Sequence, residues 1–150
     1  MKNIFYLILI ILLSSCGFKV VNNSKLQNYY ITSIETSGDR KINFDLKNRL
    51  TNNSNDLSGN KIKIVLKTIK TKNVKEKNSK NEITKYLITV KVIAKIMEND
   101  KELKTINISD QKDYNVGTQK FQTINAERST IKILTNSISS KIIRELSSIN

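Results

Sequence analysis

The 150 residues include no histidine, no proline and no tryptophan, with one cysteine and four glycines. Without histidine, a general base would have to be Asp, Glu, Lys or Tyr. A single cysteine excludes an intrachain disulfide and a thiolate metal site. Serines are plentiful, but there is no Gly-x-Ser-x-Gly elbow. Asp39, Asp45, Asp110, Asp113, Glu127 and Glu145 follow no catalytic spacing. No nucleophile and base can be paired from these residues, so the chain is not expected to be an enzyme and no metal site is expected. Acidic residues are also scarce: 13 Asp and Glu against 26 Lys and Arg, a formal net charge of +13. Such a surplus favours anionic partners through long-range attraction. The chain is also crowded with Lys, Asn and Ile, the signature of an AT-rich coding sequence, and that bias alone could supply many of the lysines.

The one pronounced apolar run, residues 4–13, follows Lys2 and contains no charge, Gly or Pro. It falls short of the roughly 20 residues a membrane-spanning helix needs. A basic start, a short apolar run and small residues before a cut are the parts of a secretory signal peptide. The run ends in Leu13-Ser14-Ser15-Cys16-Gly17, which resembles the lipobox of bacterial lipoproteins. In that resemblance the Cys16 thiol takes a diacylglycerol, the peptide is cut before it, and the freed α-amino group is acylated. The competing readings are an ordinary core cysteine and an uncleaved anchor. Processing removes 15 of the 150 residues and leaves 135, enough for one modest domain. Loss of Lys2 lowers the charge from +13 to +12. Two or three acyl chains hold a protein stably at a membrane. Position +2 is Gly17 and not Asp, which by resemblance to enterobacterial lipoproteins points to the outer membrane. Nucleic acid is a poor partner at that address; anionic headgroups or phosphorylated glycolipids suit it better.

The expected organisation is a signal peptide over 1–15, a lipidated tether over 16–28 and a single domain over 29–150. Aromatic and β-branched residues predict a strand over 28–36. Ser37-Gly38-Asp39 reads as a turn with an N-cap. Ile42, Leu46 and Leu50 share one face of a helix over 39–51. After an Asn/Ser-rich loop, residues 61–69 alternate, with Ile62, Ile64, Leu66 and Thr68 on one side. Residues 70–81 read as a basic connection with a hairpin tip. Residues 83–97 form the longest predicted strand. Its core face is Tyr86, Ile88, Val90, Val92, Ala94 and Ile96; Lys85, Leu87, Thr89, Lys91, Ile93, Lys95 and Met97 make the mixed face. A turn at 98–101 precedes a weaker edge strand over 102–109. Residues 110–123 read as a long polar connection. The stripe Ile131, Leu134, Ile138, Ile142, Leu146 and Ile149 predicts a last helix over 125–149, with Asn125 as N-cap and Glu127 at the positive end of the helix dipole. The order β-α-β-β-β-α predicts a two-layer α+β sandwich, a four-stranded, mostly antiparallel sheet with both helices on one face. The uncovered mixed face is a candidate partner surface.

These features together resemble the LPS-assembly lipoprotein family (LptE). The resemblance rests on Cys16-Gly17-Phe18 at the mature start, the early strand and helix ending near Leu50, Tyr86-Leu87-Ile88-Thr89-Val90 in the long strand, and the closing helix with Ile142-Ile143-Arg144-Glu145-Leu146. It implies a lipoprotein that plugs and stabilises a large outer-membrane β-barrel and helps deliver lipopolysaccharide to the outer leaflet. No cofactor is implied beyond the covalent diacylglycerol and N-acyl chain on Cys16. In the family, basic residues near the strand-pair tip and before the last helix meet lipid A phosphates. The nearest candidates here are Lys77, Lys80 and Lys120; solvated loop lysines are the competing reading. Another outer-membrane lipoprotein, acting as a binding or scaffold module, is the alternative.

Overall fold

The computed structural model of the chain describes residues 29–149. The expected signal peptide and tether, with Cys16, lie outside the described residues. The elements run β1 (Tyr30–Gly38), α1 (Arg40–Asn52), β2 (Lys61–Lys77), β3 (Ile83–Glu98), β4 (Lys101–Asn115) and α2 (Lys120–Ser147). The order is the expected β-α-β-β-β-α.

The four strands form one sheet in the order β1-β2-β3-β4. β1 and β2 are parallel, because α1 carries the chain back to the start of the sheet before β2 begins. β2–β3 and β3–β4 are antiparallel hairpins. The alternation in β2 and β3 sets the layers. Ile62, Ile64, Leu66, Ile88, Val90, Val92, Ala94 and Ile96 are buried on one face. Onto that face pack Ile42, Leu46 and Leu50 from α1, and Ile131, Leu134, Ile138, Ile142 and Leu146 from α2. The opposite face, with Lys91 and Lys95 exposed among half-buried Leu87, Ile93 and Met97, has no helix over it among the described residues.

The first helix starts as expected. Asp39 caps α1, its carboxylate accepting the Lys41 and Ile42 N–H groups at 3.1 Å each. Gly38 allows the tight entry. It sits at φ +98°, and a Cβ there would stand 1.8 Å from the Thr68 carbonyl oxygen.

Three expected boundaries are corrected. Residues 70–77 are not a connection but the outer end of β2, paired to β3 through steps such as Lys72↔Ile88 and Val74↔Tyr86. Residues 110–115 likewise extend β4, with Asp113 opposite Leu87 and Tyr114 opposite Tyr86. Both extensions were hidden because exposed strand ends carry polar residues on both sides, which erases the apolar alternation. The last helix begins at Lys120, not at Asn125, with Gln119 as N-cap. There the Gln122 side chain accepts the Gln119 N–H at 3.3 Å, and the Thr123 hydroxyl accepts the Gly117 N–H at 3.0 Å. Glu127 therefore lies two turns into the helix and not at its positive end.

Candidate functional site at the hairpin end of the sheet

The β2–β3 hairpin turns through residues 78–82. Asn78 organises the turn: its side-chain oxygen accepts the N–H groups of Lys80 and Glu82 at 3.0 Å each, and Asn81 takes the left-handed conformation at φ +64°. The same end of the sheet receives the start of α2. β3 pairs with the last residue of β4 at Lys85↔Asn115, and the Val116 N–H then donates to the Thr84 carbonyl at 2.9 Å. The three lysines expected to meet phosphate therefore gather at one end of the molecule, although two sit on unexpected elements. Lys77 is the last residue of β2, Lys80 lies in the turn, and Lys120 is the first residue of α2.

Their partners distinguish them from the neighbouring lysines. Lys75 pairs with Asp113, and Lys85 with Glu76 at 2.9 Å. Lys77 donates only to the neutral amide oxygen of Asn81, at 2.9 Å. Among the described residues, neither Lys77, Lys80 nor Lys120 forms an ion pair. Exposed apolar groups share this end: Val74 on β2, and Phe121 and Ile124 in the first turns of α2. Cations free of carboxylates beside exposed aliphatic and aromatic groups suit an amphiphile with phosphate or carboxylate headgroups.

Behind the tip lies a cluster absent from the sequence expectations. The Lys72 ammonium contacts the Glu127 carboxylate at 2.6 Å and stands 4.3 Å above the centre of the Tyr86 ring. The Tyr114 hydroxyl donates to the same Glu127 oxygen at 2.9 Å, and the Tyr86 and Tyr114 rings stack 5.7 Å apart. Partial burial opposes charge on Lys72 and on Glu127. Their mutual contact and the Tyr114 hydroxyl outweigh it, so the Lys72 pKa rises and the Glu127 pKa falls. Burial, with the neighbouring Glu127 carboxylate, pushes the Tyr114 hydroxyl upward. The group locks the start of α2 onto β2, β3 and β4 and gives the tip a rigid base. Tyr86 and Glu127 stood out in the sequence, one on the core face of β3 and one near the start of the last helix, but nothing in the pattern joined them to Lys72 and Tyr114.

Three of the other carboxylates noted in the sequence are likewise held by lysines. Asp39 pairs with Lys70 at 2.9 Å, Asp110 with Lys141 at 3.0 Å, and Glu145 with Lys104 at 2.8 Å. The last two tie α2 to β4. Asp45 lies elsewhere, on α1.

The described chain shares its fold with solved bacterial lipoproteins. Uncharacterized lipoprotein B from Nitrosomonas europaea superposes with a TM-score of 0.62 at 19% identity, over 88% of this chain and 91% of that one. Rare lipoprotein B from Shewanella oneidensis gives a TM-score of 0.51 at 14% identity, over 79% of this chain and 90% of that one. A minor lipoprotein from Acinetobacter baumannii gives 0.50 at 21% identity, over 79% and 90%. No protein-family model matches the sequence, and no curated protein matches it.

Proposed function

We propose that this chain is a non-enzymatic outer-membrane lipoprotein, anchored on the periplasmic face through acyl chains on Cys16. It plugs and stabilises a large β-barrel translocon and helps deliver lipopolysaccharide to the outer leaflet. The observation that carries the lipid-handling part is the set of lysines without carboxylate partners at the hairpin end, Lys77, Lys80 and Lys120, beside exposed Val74, Phe121 and Ile124. The lysines would hold phosphates by charge-assisted hydrogen bonds, and the apolar groups would meet acyl chains. The lipobox-like Leu13-Ser14-Ser15-Cys16 start and a fold shared with bacterial lipoproteins support the anchored address.

The test is a pull-down of the tagged full chain from outer membranes in mild detergent, with the eluate run boiled and unboiled. A stoichiometric barrel protein whose mobility shifts on boiling is expected. A lipidated, folded chain that recovers no barrel overturns the plug reading. The sheet face that no described element covers, with Lys91 and Lys95 around Leu87, Ile93 and Met97, favours a second reading in that case, a scaffold or binding lipoprotein.

A further inference from the structure

α1 and α2 run side by side in the same direction. α1 returns antiparallel to β1, its end reaching back to the strand start where the Ile31 N–H donates to the Ser54 hydroxyl at 2.8 Å. α2 returns antiparallel to β4, through Asp110–Lys141 and then Lys104–Glu145. Between the helices lies an open groove of about 730 Å³, lined by cations from both, Lys41 and Arg49 on α1 and Arg128 and Lys132 on α2. Asp45 is the one carboxylate in the lining. Elsewhere the described fold matches lysines to carboxylates in eight ion pairs, yet none of these four cations forms one among the described residues.

We infer that this groove docks an extended acidic segment of a partner protein, with carboxylates at alternating positions. The spacing argues for a segment over a single anion. Arg128 and Lys132 are four residues apart, about 6 Å along the helix axis, and Lys41 and Arg49 are eight apart, about 12 Å. Same-side residues of an extended chain recur every ~6.7 Å. Carboxylates at i and i+2 therefore match the α2 pair, and those at i and i+4 match the α1 pair. A lone phosphate could meet only one step of this ladder. Asn136 also lines the groove. The two arginines add planar forks suited to carboxylates. This surface is separate from the hairpin-end lysines, and the inference does not depend on their role.

The experiment uses the full chain in mild detergent and a labelled peptide, Asp-Ser-Asp-Ser-Asp-Ser-Asp, followed by fluorescence anisotropy. The control is Asp-Asp-Asp-Asp-Ser-Ser-Ser, of identical composition. The alternating peptide is expected to bind about tenfold more tightly, with affinity falling as salt rises. Arg128→Glu with Lys132→Glu is expected to abolish the difference, and Lys77→Glu with Lys80→Glu to leave it intact. Lys41→Gln with Arg49→Gln is a milder second variant should charge reversal disturb the fold. Equal binding of the two peptides, full displacement by inorganic phosphate, or unchanged binding by both groove variants overturns the inference.

Discussion

The Lys72 ammonium and the Glu127 carboxylate meet at 2.6 Å across 55 residues of sequence, joining the outer half of β2 to the second turn of α2. Both groups are still reached by solvent, so the pair acts as a clasp and not as a core contact. Glu127→Gln keeps the shape, weakens the contact to Lys72 and leaves Tyr114 a weaker acceptor. The expected cost is about 1 kcal/mol, discounted for solvent screening. A drop in thermal midpoint of roughly 4 °C should report it.

Gly38 is expected to resist any substitution. Gly38→Ala forces a Cβ onto the Thr68 carbonyl and holds alanine at φ +98°. A loss of about 3 kcal/mol or more is expected in urea unfolding.

Thr68 and Asn43 form a buried polar pair beneath the α1 cap. The Thr68 hydroxyl faces the Asn43 side-chain oxygen at 2.9 Å and accepts the Asp39 N–H at 3.0 Å. Thr68→Val keeps the volume but strands both partners, an expected cost of roughly 2 kcal/mol. Thr68→Ser should recover most of the loss, and circular-dichroism melts of the two variants should separate the hydroxyl from the methyl.

Acid should unfold the domain through its paired carboxylates. Burial opposes the charge of Asp39 and Glu127, but Lys70 with the N–H groups of α1, and Lys72 with Tyr114, hold both below the usual carboxylate range. The Ser137 hydroxyl, together with Lys141, does the same for Asp110 against a smaller burial effect. Their folded pKa values are depressed. The stability they contribute is fully present above the unfolded value of about 4 and is lost as pH falls through the folded values. Urea midpoints should stay level between pH 7 and pH 5 with respect to these groups and decline below about pH 4. Glu127→Gln should flatten that decline.

Reversing the charge of Lys77, Lys80 and Lys120 together is expected to leave the thermal midpoint unchanged, since none holds a carboxylate in the described fold. Binding of lipopolysaccharide to the detergent-solubilised chain should fall by roughly tenfold or more. Normal binding by this triple variant would remove these residues from the site.

The sequence made the middle of each element legible and lost its ends. Ile62, Ile64 and Leu66 declared a strand, but Lys70, Lys72 and Lys75 beyond them read as a loop, because exposed backbone pairing leaves no apolar signature. Asp113 and Tyr114 were assigned to a connection for the same reason, although β3 supplies their register. Asn125 read as the cap by residue type. The observed start depends on Gln122 and Thr123 folding back onto the preceding loop, an arrangement that preference rankings do not encode. Lys77, Lys80 and Lys120 were identified by resemblance. Their common location at one end of the sheet follows from strand lengths that the pattern had underestimated.

What the sequence determined by itself was which residues go inside. A period of two in β2 and β3, and of three to four in α1 and α2, assigns the buried aliphatics of these four elements to a side before any partner is known, because side-chain direction is a local property of the backbone. The tertiary structure alone decided which charges meet. Lys72 with Glu127, Asp110 with Lys141, and Lys41, Arg49, Arg128 and Lys132 across one groove, none in an ion pair among the described residues, all join segments far apart in the chain. Those meetings depend on the register of strands and the direction of returning helices, which only the packed sheet and its two covering helices set.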